Sequence, residues 1–351
     1  MGMREDGELS GDRVPRPASA WARAAEWVLL AAGVVLFMVL LVRMGPRIVF
    51  DNTRLVGWGI VIIILQEIFA YAANTLGWSF AFPLARPLPF SQLLAVRIVG
   101  DTVSHLTPTA TLGGDFMRVR LLRGCGRTSA IVASVVIAKL SQIVAQVAFI
   151  VLGLLVVAGT APIPRALYVA VLSGAAMLLC AVLGLLLIQR RGLFTTLDRP
   201  LRAIGLAGFG PILGQHLERF DEEVERFYAG GPSRFLASAT WFLVGWALGV
   251  LEACLILFFL DVPMTLRRLV AIEVLSAAVD AVVFFVPGKV GVQEGGKVLI
   301  FTLLGLDPAK GLSFGILRRV RELAWAGIGL VIFSRLQAAP RPSTNGAAIH
   351  G

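Results

Sequence analysis

Charged side chains recur in the same order in the two halves of this sequence. When the chain is shifted by 179 residues with no gap, Asp101 aligns with Asp280. The same shift gives five further matched pairs: Pro108 with Pro287, Asp115 with Glu294, Arg118 with Lys297, Gly126 with Gly305, and Lys139 with Arg318. In duplicated membrane proteins, matching charges and helix breaks surround a substrate site at the axis between the repeats. The pattern therefore favours transport over a purely structural role.

The first half contains a motif that could bind an anion. Pro108 to Asp115 reads Pro-Thr-Ala-Thr-Leu-Gly-Gly-Asp, with Gly113 and Gly114 preceding the acid and Arg118 following it. Proline ends a short helix, and the glycines permit close backbone approach. The helix that follows would present free N–H groups at its N-terminus, which suits an anion.

The second half contains the matching stretch. Pro287 to Glu294 reads Pro-Gly-Lys-Val-Gly-Val-Gln-Glu and includes Gly288 and Gly291. A simpler interpretation is that Asp115 and Glu294 cap the helices that they begin, because a carboxylate satisfies orphan N–H donors. Capping is compatible with ligand binding by neighbouring residues.

The last apolar helix carries an unusual group of charges. Arg318, Arg321 and Glu322 fall on one face by their spacing, while Arg319 points about a third of a turn away. Lys139 lies at the equivalent place in the first half. Charges on a spanning helix are costly and normally face a partner or a wet cavity.

Two interpretations of these cations remain open. One is an anion site formed by the four cations Arg118, Lys139, Arg318 and Arg321. The other is structural ion pairing with the acids Asp101, Glu273 and Asp280. Glu67 and Asn74 are expected to complete a polar lining or to form helix–helix hydrogen bonds.

Composition places the chain in the membrane. Hydrophobic residues make up 57% of its 351 residues, charged ones 15%, and mean hydropathy is +0.82. The net charge of +10 flanks or interrupts apolar segments, so nucleic acid is not expected as a partner. Three cysteines and three scattered histidines suggest no disulfide framework or metal site, and no cofactor motif is recognised. The spacing of Gly291, Gly296 and Lys297 matches that of a nucleotide-binding loop, but Val298 stands where such a loop has Ser or Thr.

The segments can be assigned along the chain. We expect a disordered tail over 1–24, a first membrane repeat over 25–160, a second over 161–335 and another disordered tail over 336–351. Apolar stretches long enough to span about 30 Å cover Trp27–Val42 and roughly 55–82, 128–158, 165–188, 235–260 and 308–333. Residues 91–126 and 270–306 are broken at their centres, and we interpret both as re-entrant helical hairpins, with ordinary loops as the alternative.

Arginine distribution predicts the orientation. The 189–234 connection is rich in arginine and is assigned to the cytoplasm, together with both termini. Arg43, Arg47 and Arg54 then face outward and violate the rule. Each half has three spanning helices and one hairpin. The predicted fold is thus an all-α integral membrane protein, a polytopic bundle of two inverted repeats with about six spanning helices.

The paired Pro/Gly motifs, with Arg318 downstream, resemble the flippase-like transmembrane domain of the lysylphosphatidylglycerol synthase family over roughly residues 25–335. The resemblance implies movement of polar-headed lipids between leaflets. Full synthases of that family carry a soluble aminoacyl-transfer domain after the membrane part. The chain stops at Gly351, so no synthase activity is expected. Similar stand-alone members include proteins associated with hopanoid biosynthesis.

The expected function is that of a lipid flippase in the bacterial inner membrane, acting on an anionic or zwitterionic lipid. No catalytic constellation is recognised, so no enzymatic activity is expected. Two alternatives are a membrane-embedded lipid-modifying transferase and a non-transporting scaffold for a lipid-synthesis enzyme.

Overall fold

The computed structural model describes residues 46–83, 88–106, 112–157, 165–190, 211–282 and 291–338, with five single positions between 35 and 43. Every regular element in these ranges is an α-helix. The helices are α1 (Pro46–Leu55), α2 (Gly59–Phe80), α3 (Phe90–Leu106), α4 (Leu112–Leu122), α5 (Thr128–Val157), α6 (Arg165–Arg190), α7 (Pro211–Ala229), α8 (Ser233–Phe259), α9 (Leu266–Val282), α10 (Val292–Leu303) and α11 (Pro308–Ala338). The prediction of an all-α bundle is confirmed for this part of the chain. A helix satisfies its own backbone hydrogen bonds, as hydrocarbon requires.

Three of the described helices are long and apolar enough to cross a membrane, namely α2, α5 and α8. Helix α6 contains the shorter apolar stretch Tyr168–Ala181 among the described residues, and its sequence stays apolar as far as Ile188. Helix α11 has 31 residues, about 46 Å at 1.5 Å per residue, but charged residues interrupt it. The first predicted span, Trp27–Val42, lies mostly outside the described residues. The count of six spanning helices therefore stays a prediction.

The two broken segments each contain a pair of short helices. Helices α3 and α4 occupy the predicted 91–126 segment and pack together, and α9 and α10 do the same for 270–306. The centres of both segments, with Pro108, Pro287 and Gly288, lie outside the described residues. The structure therefore has two helices in each predicted segment, while the re-entrant hairpins stay a prediction.

The helix ends follow the 179-residue register. Helices α2 and α8 end at Phe80 and Phe259, which match the register, and α5 and α11 begin at Thr128 and Pro308, one residue away from it. Packing follows the same register, because α5 lies against α9 while α11 lies against α3. Helices α2 and α8 pack against each other and bring the two halves together.

The predicted 189–234 connection contains a helix that the sequence reading did not anticipate. Phe220, Val224 and Phe227 of α7 are buried, and α7 packs against α5 and α6. Buried Glu223 on the same helix receives hydrogen bonds from Arg127 at 3.4 Å and Arg226 at 3.1 Å. The apolar residues recur at i, i+4 and i+7, a helical spacing that could have revealed α7.

Glycines shape the two turns that lead into the longest helices. Gly124 between α4 and α5 has φ of 89°, and Gly305 between α10 and α11 has φ of 68°. Positive φ favours glycine because it has no Cβ. Two apolar clusters then pack around the charged centre, one including Ile256, Phe301 and Phe314 and the other including Trp78.

Candidate functional site

A cavity of about 230 Å³ lies within the helical bundle. Side chains from α2, α5, α8, α9, α10 and α11 line it, so both halves of the chain contribute. Its acidic side chains are Glu67, Glu252, Glu273, Asp280 and Glu322. Its basic side chains are Lys297, Arg318, Arg319 and Arg321. Charge at such density inside an apolar bundle is expensive, which makes this cavity the candidate functional site.

Two guanidinium groups of α11 share a carboxylate of α8. Glu252 Oε2 lies 3.1 Å from Arg318 and 2.8 Å from Arg321. Arg321 also contacts Glu67 of α2 at 2.5 Å, and Arg318 forms a hydrogen bond with Glu273 of α9. These contacts form a continuous chain of alternating charges across four helices. Arg318 and Glu273 therefore form an ion pair, which is one of the two interpretations of the sequence.

Arg319 faces the same cavity, contrary to its expected direction. It pairs with Glu294 at 3.0 Å and with Glu322 at 3.0 Å, and it donates to Gln293 Oε1 at 3.1 Å. The packing of α10 against α11 brings Glu294 within reach of this long side chain. Glu294 also accepts the backbone N–H of Gly291 at 2.7 Å, so the predicted helix cap is confirmed at this position.

Lys297 differs from the three arginines of the cavity. It is only 5% exposed and lines the cavity from α10. Within the described part of the chain its ammonium group has no hydrogen bond and no carboxylate within 4.0 Å. The 179-residue register aligns Lys297 with Arg118, but the residues predicted to form the site do not include Lys297.

A second charged group lies in the first half. Arg118 of α4 forms hydrogen bonds with both Asp101 of α3 and Asp115 of its own helix. Lys139 lies 3.6 Å from Asp115, and Arg97 lies 3.6 Å from Asp101. Asp101 therefore takes part in structural ion pairs, as the second interpretation of the sequence predicts.

The pocket at this second group is nearly filled. Its volume is about 10 Å³, room for roughly one water. The guanidinium of Arg118 lies 5.9 Å from the ring centre of Trp78, and that of Arg97 lies 5.5 Å from the ring centre of Phe242. Gln142 of α5 lines this pocket and the large cavity alike, so the two sites are neighbours.

Two glycines of α8 allow close contacts in the wall of the large cavity. A Cβ added to Gly245 of α8 would lie 2.7 Å from Asn74 Oδ1, and one at Gly249 would lie 2.9 Å from Glu273 Oε2. These approaches are shorter than van der Waals contact, so larger residues would displace the polar lining. The glycines of α8 therefore decide how near α2 and α9 approach.

The predicted site residues separate into two groups. Those that line the large cavity are Glu273, Asp280, Arg318, Arg321 and Glu322. Those that line the small pocket are Asp115, Arg118 and Lys139. The four cations expected to share an anion are thus divided between neighbouring sites, and each lies within 4.0 Å of a carboxylate.

Of the remaining predicted residues, Pro108, Pro287 and Gly288 lie outside the described part of the chain, and the others lie on or beside the helices around these groups. Asp101 binds Arg118, and Gly291 precedes α10 as its N-cap. Gly113 lies in the first turn of α4. A Cβ at Gly114 would lie 2.2 Å from the carbonyl oxygen of Gly100, so α3 and α4 are in close contact there.

Glu252 is the most important residue that the sequence reading missed. It aligns with Ala73 in the 179-residue register, so the repeat pattern could not identify it. The sequence did offer one signal, because Glu252 is a lone acid within the apolar helix α8. An ionisable residue in such a helix suggests a functional site. Lys297 and Arg97 carried the same kind of signal.

Formal charge in the large cavity is unbalanced. With Glu294, which pairs with Arg319 at the wall, six carboxylates and four cations are found at the cavity among the residues that the structure describes. Every arginine is engaged by at least two carboxylates in the part of the chain that the structure describes. The site can therefore accept hydrogen-bond donors or positive charge at its carboxylates and negative charge at Lys297.

A sequence model of the family described as "Lysylphosphatidylglycerol synthase TM region" matches residues 27–329. The chain belongs to this family. The matched region contains every residue that lines the two pockets. Searches of curated proteins and of solved structures found no match. The protein is therefore a membrane protein of a family related to lipid handling.

Proposed function

We propose that this protein is a lipid flippase that moves a polar-headed lipid between the leaflets of the bacterial inner membrane. The observation that carries the proposal is the charged cavity of about 230 Å³ inside an apolar helical bundle. Its volume lies just below the roughly 300 Å³ of pockets that enclose a drug-sized ligand. It therefore suits a headgroup whose acyl chains remain in the bilayer.

The proposed architecture is two inverted repeats with two re-entrant hairpins. The common register of helix ends and the exchanged packing of α5 on α9 and α11 on α3 support it. Both termini are assigned to the cytoplasm on the arginine distribution. In this arrangement the hairpins approach the centre of the membrane from opposite sides.

The two pockets suggest how transport proceeds. Asp115, Arg118 and Lys139 of the small pocket align with Glu294, Lys297 and Arg318 around the large cavity. In a pseudo-symmetric transporter the halves exchange conformations, so the closed pocket of one state opens in the other. We assign the present structure to a state with the second-half cavity open and its first-half counterpart closed.

The charge balance favours a zwitterionic headgroup over a purely anionic one. Carboxylates outnumber cations among the described residues of the large cavity, so a simple anion would meet more acidic than basic side chains there. A headgroup that also carries an amine or several hydroxyl groups would satisfy the carboxylates. The proposed cycle involves no covalent change to the lipid.

Reconstitution tests the proposal directly. Purified protein in liposomes that contain lipids with fluorescent headgroups should increase the fraction of label reached by an external quencher within minutes. Protein-free liposomes and liposomes with heat-inactivated protein are the controls. Equal label accessibility with and without folded protein would reject transport. In that case a chemically altered lipid would indicate the transferase alternative, and co-purification of a lipid-synthesis enzyme would indicate the scaffold.

Cysteine labelling tests the architecture. Cys125, Cys180 and Cys254 would first be replaced by serine or alanine, since all three thiols are free. Single cysteines at positions 105–112 and 284–291 should then react with impermeant reagents from opposite faces of the membrane. Labelling of both segments from one face would refute the inverted repeat.

A further inference from the structure

Among the described residues, the ammonium group of Lys297 has no hydrogen bond and no carboxylate within 4.0 Å, although the residue is only 5% exposed. Its position on α10 places it in the wall of the large cavity. A buried charge without a partner is costly, because desolvation is not offset by a contact. The carboxylates of Asp280, Glu273 and Glu252 attract Lys297 only from beyond 4.0 Å, so a ligand anion could supply the direct contact that the ammonium group lacks.

The other cations of the cavity are already engaged. Arg318 and Arg321 share Glu252, and Arg319 is held by Glu294 and Glu322. A ligand anion at these arginines would have to displace carboxylates that are themselves buried. At Lys297 it would displace none in the described part of the chain.

We infer that Lys297 binds the phosphate of a phosphodiester headgroup in this cavity. The inference rests on the proposed lipid-binding function and adds the chemical class of the substrate. A phosphodiester carries one negative charge, which one ammonium group neutralises. A phosphomonoester or diphosphate would bring further negative charge into a cavity where carboxylates already exceed cations.

The rest of the headgroup is expected to meet the carboxylates. Glu252 Oε1 is buried and has no hydrogen-bond partner among the described residues, while its Oε2 atom is occupied by the two arginines. An amine or a hydroxyl group of the headgroup could donate a hydrogen bond to this side of the cavity. Phosphodiester lipids with donor-bearing headgroups should therefore bind better than phosphatidic acid.

Equilibrium binding to folded protein in detergent tests the assignment. Calorimetry or thermophoresis would compare dioctanoyl phosphatidylethanolamine, dioctanoyl phosphatidic acid, dioctanoylglycerol and inorganic phosphate. The variants are Lys297→Met, which removes the charge at similar length, and Lys297→Arg, which keeps it. Lys310→Met is the matched control, because Lys310 is half-buried and donates to the carbonyl oxygen of Asp261 outside the cavity.

Lys297→Met should weaken phosphatidylethanolamine binding by about 10- to 100-fold, the range for loss of a charge-assisted hydrogen bond. Lys297→Arg should restore most of the affinity, and Lys310→Met should leave it unchanged. Dioctanoylglycerol, which lacks phosphate, should bind weakly and equally to all variants. Unchanged phosphatidylethanolamine affinity in folded Lys297→Met, or an equal loss for dioctanoylglycerol, would overturn the assignment.

Binding of inorganic phosphate distinguishes the anion site at Lys297 from the proposed lipid function. If inorganic phosphate binds with the same dependence on Lys297 while no lipid binds, the anion site is supported and the lipid function fails. If lipids bind without dependence on Lys297, the lipid function is supported and the assignment fails. Tighter binding of phosphatidic acid than of phosphatidylethanolamine would refute the phosphodiester class.

Discussion

Substitution of Arg318 by methionine should destabilise the protein by an amount that the contacts predict. The arginine side chain is 14% exposed and joins Glu252 and Glu273, whose side chains are 3% and 6% exposed. Removal of one partner from a buried ion pair costs about 3–5 kcal/mol. Glu252 would keep its contact with Arg321, so Glu273 would be the carboxylate left without a partner. We therefore expect the free energy of unfolding to fall by about 3 kcal/mol, near the lower end of that range.

The double variant Arg318→Met with Glu273→Gln should recover much of this loss. It removes the charge that the single substitution leaves unpaired, and a coupling of about 1–3 kcal/mol is expected between directly contacting residues. The measurement is reversible unfolding in detergent micelles, followed by tryptophan fluorescence. Arg268→Met is the control, because Arg268 is half-buried, pairs with no carboxylate among the described residues, and its guanidinium donates to the carbonyl oxygen of Pro263.

Two outcomes would contradict this reasoning. If Arg318→Met unfolds at the same denaturant concentration as the unmodified protein, the buried pair makes no net contribution to stability. If the double variant is no more stable than the single one, Glu273 is not the residue left without compensation. Transport by the stable double variant then reports whether Arg318 also contacts substrate, since stability is no longer the limiting factor.

Other substitutions test the cavity, the hairpin packing and the α7 contact. Gly249→Ala should reduce transport several-fold with little loss of expression, because its Cβ would lie 2.9 Å from Glu273 Oε2, whereas Gly174→Ala on the open face of α6 should leave transport unchanged. Gly114→Ala should lower the unfolding temperature by several degrees, because its Cβ would lie 2.2 Å from a backbone oxygen of α3, and an unchanged temperature would refute close packing there. Glu223→Ala should increase proteolysis between α6 and α8, because it removes the buried carboxylate that holds Arg127; wild-type resistance would show that the apolar face of α7 suffices.

Local sequence features determined the helices and their breaks. Long apolar runs identified α2, α5 and α8, and proline with glycine predicted that the 91–126 and 270–306 segments each contain two helices. These features act through neighbours in the chain, since helix formation and termination depend on residues within a few positions. The 179-residue register also came from the sequence, because a duplication preserves the order of residue types.

Tertiary structure decided which charges meet. Arg321 contacts Glu67, which lies 254 residues away in the chain, and Arg319 turns towards Glu294 on the neighbouring helix. Helical periodicity placed Arg318 and Arg321 on one face, but it could not show that α8 brings Glu252 between them. Nor could it distinguish a cation that is already paired from Lys297, whose ammonium group has no such contact in the described residues. Residue type sets the charge of a side chain, whereas its partners depend on helices that become neighbours only when the whole bundle packs.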